Sequence, residues 1–282
     1  MEIRRARYAG ACYGVKRALR LVEEAIQRSN RPVNTLGPLI HNPQVVEGLR
    51  ALGIETVNSI DEVDHGTIVI RSHGVSPTII TAAQAKGLKV LDATCPHVSK
   101  AQAAASELNR QGYTVVVVGE RGHPEVEGIS GYAGDQVLVV QNPDELPAFD
   151  AMARIGVVAQ TTQTADALAS IIATINSQGV KPEVYDTICF ATRQRQEAAS
   201  ELAAEVDVML VVGGRNSSNT TRLTELCRAV CPSTYHLEKP AELDASWFVN
   251  AHFIGITAGA STPESQIEAV ESQLYGLFTE QD

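Results

Sequence analysis

The sequence predicts an α/β protein built as three α/β modules about a pseudo-threefold axis. Three observations predict it. First, Cys12, Cys95 and Cys189 each follow a strand-like run and precede a helix-like one. Their separations, 95 − 12 = 83 and 189 − 95 = 94, are module lengths and far exceed zinc-finger spacing. Second, a polar residue recurs at nearly one offset from each cysteine, after a further strand-like run. It is His41 (41 − 12 = 29), His123 (123 − 95 = 28) and Ser217 (217 − 189 = 28). Third, a second polar loop follows in each module, at Arg71-Ser72-His73-Gly74, Gln160-Thr161-Thr162 and Thr257 to Ser261. A long internal period sets the architecture. Three cysteines buried by chance is the competing explanation, because free cysteine is often core, and the shared offsets weigh against it. The expected modules are residues 1–93, 94–187 and 188–282.

Each element has its own justification. Val15, Ala18, Leu19, Val22, Ala25 and Ile26 recur at helical spacing, with Lys16, Arg17 and Arg20 on a solvated face. A strand is expected over 32–36, broken by Gly37-Pro38, and His41-Asn42-Pro43 opens a helix with proline in its first turn. Thr67 to Ile70 reads as a buried strand and Ser76-Pro77 as a helix start. In the second module Val98, Ala101, Ala105 and Leu108 mark a helix. Val115 to Val118 lacks alternation, the mark of a strand covered on both faces. Pro124 opens a helix, strands follow at 137–140 and 155–159, and a helix at 165–177. In the third, Ala198, Leu202, Ala203 and Val206 suit a helix, and strands are expected at 208–212 and 254–257. Tyr8 to Cys12 and Val184 to Cys189 are read as strand-like approaches to their cysteines.

The formal charge of −10 and the lack of a long basic run argue against a nucleic-acid binder. No stretch has the length and apolarity of a membrane span. Met1 to Arg5 is not followed by an apolar signal core, so a cytoplasmic protein is expected. In that reducing setting five cysteines read as thiols or metal ligands. Cys227 and Cys231, four apart on a helix, read as packing residues.

Three cysteines meeting at one site invite a metal. Zinc would want a histidine as fourth ligand. An iron–sulfur cubane held by three cysteines would keep one open iron. The six polar loops lie where ligands bind in parallel α/β sheets and where helix N-termini favour anions. They carry His41, His73, His123, Thr161, Ser217, Ser218, Asn219 and Ser261, a set suited to a phosphate or diphosphate. Singly, a Ser, Thr or Asn here is more often a plain helix cap, and the set of six loops is what carries the reading. Glu125 stands two residues after His123 and is a candidate proton donor, weighed against an ordinary first-turn glutamate. An iron–sulfur sensor or zinc-held binding module, and a phosphate-binding hydrolase, remain alternatives on these residues alone.

Taken in order, nine stretches resemble the 4-hydroxy-3-methylbut-2-enyl diphosphate reductase family over nearly the whole chain. They are Cys12 to Ala18, Gly37 to Pro43, Arg71 to Gly74, Asp92 to Pro96, Gly122 to Val126, Gln160 to Thr162, Ile188 to Thr192, Asn216 to Asn219 and Thr257 to Ser261. The resemblance implies a trefoil around one central [4Fe–4S] cluster per chain, held by Cys12, Cys95 and Cys189. It implies a diphosphate substrate whose hydroxyl meets the open iron and leaves as water after two one-electron transfers and protonation. The products would be isopentenyl and dimethylallyl diphosphate. Glu125 matches the proton-delivering acid and Thr161 its partner beside the substrate. His41, His73, His123, Ser217, Ser218, Asn219 and Ser261 match the substrate-binding set. Ferredoxin or flavodoxin is the expected electron donor, and a monomer the expected state. Ala11, Ala159 and Ala101-Gln102 depart from the family's usual residues and bear on packing.

Overall fold

The computed structural model describes residues 1–28 and 32–279. The chain opens with β1 (Glu2–Arg5) and α1 (Tyr13–Arg28). Next come β2 (Val33–Leu36), α2 (Pro43–Ala51), β3 (Glu55–Val57), β4 (Thr67–Ile70), α3 (Pro77–Ala85) and β5 (Lys89–Asp92). The middle stretch holds α4 (Pro96–Arg110), β6 (Thr114–Val118), α5 (Pro124–Tyr132), β7 (Val137–Val140), β8 (Ile155–Ala159), α6 (Ala165–Ser177) and β9 (Glu183–Tyr185). The last holds α7 (Phe190–Ala203), β10 (Val208–Val212), α8 (Ser218–Val230), β11 (Thr234–Leu237), β12 (Phe253–Ala258) and α9 (Glu264–Thr279).

The strands form three four-stranded sheets, ordered β3-β2-β4-β5, β7-β6-β8-β9 and β11-β10-β12-β1. Every pairing is parallel. The three orders are one topology, provided that β1 serves as the last strand of the third sheet. It does so through Glu2↔Phe253 to Arg5↔Ile256. The chain leaves that last strand for a cysteine in each case: β5 for Cys95, β9 for Cys189 and β1 for Cys12. The strands of the first two sheets fall at 33–92 and 114–185, and β1, within the 1–93 span, pairs into the third sheet. The helix after each cysteine covers the next sheet. Ala101, Ala105 and Leu108 of α4 pack on Val115 and Val117, and Ala199 and Leu202 of α7 pack on Met209 and Val211. On α1, Leu21 and Ala25 line a shallow pocket with Thr67 and Leu91.

Central strands are wholly buried (β4, β6, β8 and β10 aside from the half-buried Thr114), which their unbroken apolar runs require once helices cover both faces. The approach to Cys12, read as strand-like over Tyr8 to Cys12, is a turn: Gly10 sits at φ +82°, in the left-handed region that glycine adopts freely. The strand itself lies earlier, at Glu2–Arg5. The short edge strands β3 (Glu-Thr-Val) and β11 (Thr-Tyr-His-Leu) give no apolar pattern. After each of β3, β7 and β11 a glutamate caps a short 3₁₀ turn. Glu62 accepts from the N–H of Ser59, Glu145 from that of Gln141 and Glu242 from that of Lys239.

The chain divides into two compact units. One comprises residues 1–15, 41–44 and 190–282 and holds the third sheet; the other comprises 16–40 and 45–189 and holds the first two. In the first unit the third sheet is packed on one side by α9 through Ile267, Val270 and Leu274. On the other side Cys227 and Cys231 join the core with Leu223 and Ala199. Burial pushes the Cys227 thiol up to about 12, as expected of an inert packing thiol.

Candidate active site

Each cysteine is mounted in the same way. The N–H of Cys95 donates to Ser72 O (2.9 Å), that of Cys189 to Thr161 O (3.0 Å) and that of Cys12 to Ala260 O (3.0 Å). The acceptors are the second polar loops, each following the third strand of its sheet. The repeat read from spacing is thus a repeat of hydrogen bonding. None of the three cysteines is in a disulfide and all are half-buried, and each stands at the start of a helix. Soft thiol donors at three positive helix ends suit an anionic iron–sulfur cluster. Cys95 and Cys189 belong to one unit and Cys12 to the other. Among the described residues no three His, Cys, Asp or Glu side chains form a ligand group.

In the two-sheet unit, Pro124 starts α5 and places Glu125 in its first turn, 2 % exposed. Its carboxyl accepts from Thr161 N–H at 2.6 Å and from Thr161 Oγ1 at 3.0 Å. Burial pushes Glu125 up to about 7, against the pull of both Thr161 bonds. A carboxylic acid that titrates near neutrality is matched to proton delivery. His123 is the cap of the same helix, and its Nδ1 accepts from Glu125 N–H at 3.1 Å. That nitrogen therefore carries no proton. Burial, with Arg71 nearby, holds His123 down to about 4. The ring is a neutral hydrogen-bonding group at pH 7 and adds no charge. His73 meets it edge-to-face, with centroids 5.6 Å apart. Gln160, fully buried, accepts from Glu120 N–H through Oε1 and steadies the loop before the acid.

In the other unit, β10 is followed by Gly213, whose added Cβ would stand 2.6 Å from Thr262 Oγ1. Glycine is required there by close approach. Ser217 caps α8, accepting from Thr220 N–H. The cap role considered for a lone serine is therefore present, beside the polar set. Ser261 Oγ donates to His41 O (3.0 Å) and lies 3.5 Å from Ser217 Oγ. Asn219 is 5 % exposed, yet neither its Nδ2 nor its Oδ1 has a hydrogen-bond partner among the described residues. A buried amide left unmet at both ends is costly, and at a helix N-terminus it is placed for a bound anion. Ser218 is buried beside it.

This unit brings together His41, Ser217, Ser218, Asn219, Ser261 and Cys12; the two-sheet unit holds His73, His123, Glu125, Thr161, Cys95 and Cys189. Asn42 was not singled out beyond its helix-opening motif. It is buried, donates to Ser261 O (3.0 Å) and exchanges amide bonds with Gln266 (2.8 and 3.2 Å). The signal was its place after His41, masked by the reading of Pro43 as a helix start.

The family model of the LytB protein matches residues 3–275. The 4-hydroxy-3-methylbut-2-enyl diphosphate reductase of Pelobacter propionicus is 47 % identical over 97 % of this chain and 98 % of its own. That of Geobacter sulfurreducens is 47 % identical over 96 % of this chain and 95 % of its own. A solved structure of this reductase, described as the terminal enzyme of the non-mevalonate pathway, is 43 % identical with a TM-score of 0.73, covering 98 % and 100 % of the two chains. The Plasmodium falciparum reductase structure is 28 % identical with a TM-score of 0.92, covering 96 % and 87 %. Matched nearly end to end by the family model and by its curated members, the chain belongs to the LytB family.

Proposed function

We propose that this chain is an oxidoreductase that removes the hydroxyl of 4-hydroxy-3-methylbut-2-enyl diphosphate, giving isopentenyl and dimethylallyl diphosphate in the non-mevalonate route to isoprenoids. The C–O bond breaks, water leaves, and two electrons and two protons are consumed. Cys12, Cys95 and Cys189 would hold one [4Fe–4S] cluster per chain, which supplies electrons singly and an iron with no protein ligand. Glu125 is assigned as the acid that protonates at the reacting end, oriented by Thr161. His41, His73, His123, Ser217, Ser218, Asn219 and Ser261 are assigned to the substrate, mostly at its diphosphate. Electrons would come from ferredoxin or flavodoxin, and the protein would act as a cytoplasmic monomer. No helix among the described residues is long and apolar enough to cross a membrane.

The observation that carries this reading is the buried Glu125 carboxyl, raised to about 7 while bonded twice by Thr161. A plain first-turn glutamate faces solvent and keeps an ordinary acidity. The test is anaerobic purification with iron and sulfide assays, followed by addition of the hydroxy-diphosphate. A brown protein with about four irons per chain whose spectrum responds to substrate, and which turns over with a one-electron donor, is the expected result. A colourless protein, or a brown one blind to substrate, would remove the assignment.

A further inference from the structure

Two of the three helices that follow the cysteines carry an arginine to a cysteine turn. On α7, Arg195 (195 − 189 = 6 residues past Cys189) is buried. Its Nε and Nη2 donate to the carbonyl of Gly10, at 3.1 and 2.7 Å, and its Nη1 donates to Ala191 O at 2.8 Å. Gly10 lies two residues before Cys12, at φ +82°, and its N–H donates to Ala258 O. The turn entering Cys12 is thus held from three sides: by Ala258, by Ala260 and by the guanidinium. In the two-sheet unit, Arg17 on α1 donates from Nη1 to Thr94 O at 3.0 Å. Thr94 immediately precedes Cys95. The solvated face expected for Arg17 is therefore only half right, since the head group turns back to this carbonyl.

The third turn uses another device. Thr187 Oγ1, two residues before Cys189, donates to Ala159 O at 2.5 Å and accepts from Ala159 N–H at 2.8 Å. On α4, Ala101 stands six residues past Cys95. A guanidinium fork that bonds one carbonyl twice fixes its direction, which a lysine point charge does not. Taking that fork out of water is costly unless its donors are met. At Arg195 three of the five donors are met by backbone carbonyls, and two of those bonds land on the peptide that leads to Cys12.

We propose that Arg195 and Arg17 are positioning residues, fixing the backbone that presents the thiols of Cys12 and Cys95, respectively, to the iron–sulfur cluster. This rests on the reading that those thiols ligate it. The test uses the anaerobically purified full chain with Arg195→Gln, Arg17→Gln and Arg195→Lys. Two rates are measured. One is bleaching of the cluster by an iron chelator. The other is iodoacetamide alkylation of each cysteine in the stripped chain, resolved by peptide mass spectrometry.

Arg195→Gln should speed alkylation of Cys12 roughly threefold or more, the size of one lost net hydrogen bond, and leave Cys95 and Cys189 unchanged. Arg17→Gln should do the same for Cys95 alone. Both should bleach faster than wild type, and Arg195→Lys should lie between. A uniform rise at all three cysteines, or no change at any, overturns the proposal. Should Arg195→Gln fail to fold, the half-buried Arg17 carries the test. A cluster retained and bleaching at the wild-type rate in Cys12→Ser would instead sink the ligand assignment, while the alkylation pattern still decides the clamp.

Discussion

Glu125 and Asn219 are buried to nearly the same degree, and their surroundings are opposite. Both oxygens of the Glu125 carboxyl accept from within its unit, from the N–H and hydroxyl of Thr161. Asn219 has a donor and an acceptor with no partner among the described residues. Under the roles proposed above, the difference would separate an acid fixed in place from a group left open for the substrate. A reacting group gains from preorganisation before substrate arrives. A binding group gains from unmet capacity that the ligand fills, since hydrogen bonds formed on binding are then not exchanged for older ones.

The strongest way to break this contrast is Glu125→Gln. Turnover should fall by about 10²–10⁴-fold, the usual worth of a general acid, with iron content and KM little changed; a kcat within a factor of a few of wild type would end the acid's role. Asn219→Ala should act the other way round. Affinity for inorganic diphosphate, followed by calorimetry, should weaken by about tenfold or more, with a smaller loss of kcat. A kcat loss without an affinity loss would merge the two classes. The pH profile sharpens the comparison further. Glu125 is raised from 4.5 to about 7, so its acid form is present below that range and disappears as pH rises through about 7. Turnover should decline on that limb, and Glu125 should weigh against folding as pH climbs from about 4.5 to about 7. Thr161→Val removes the hydroxyl bond that favours the carboxylate, so the limb should move to higher pH. The smallest effect is expected for the cap: Ser217→Ala should cost about 1 kcal/mol, read as a drop of a few degrees in Tm.

Much of this was legible beforehand because it depends on spacing. The offsets to His41, His123 and Ser217 are recorded in the sequence, and the strands that carry them are unbroken apolar runs such as Val115 to Val118. What escaped depends on partners distant in the chain. Glu2 to Arg5 looks like a polar leader, and only its pairing with Phe253 to Ile256 makes it a strand. Glu62, Glu145 and Glu242 each stand five residues past the end of an edge strand, at 57, 140 and 237, but two of those strands, Glu55–Val57 and Thr234–Leu237, are too short or too polar to anchor the pattern. His123 could be placed by its offset. Its neutrality could not, because that follows from burial and from the Glu125 N–H it accepts. Arg195 carries no motif at all; its role appears only when Gly10 is found under it.

The pairing of β1 with β12 has a consequence for biosynthesis. Cys12 leaves the ribosome well ahead of the strand that completes its seat. The gap of 258 − 12 = 246 residues takes roughly 12–50 s at ordinary elongation rates. The seats of Cys95 and Cys189 consist of chain made shortly before them. Throughout that interval the carbonyl that accepts from Cys12 N–H is not yet made, so, under the proposed ligand set, cluster assembly would follow translation of the last sheet.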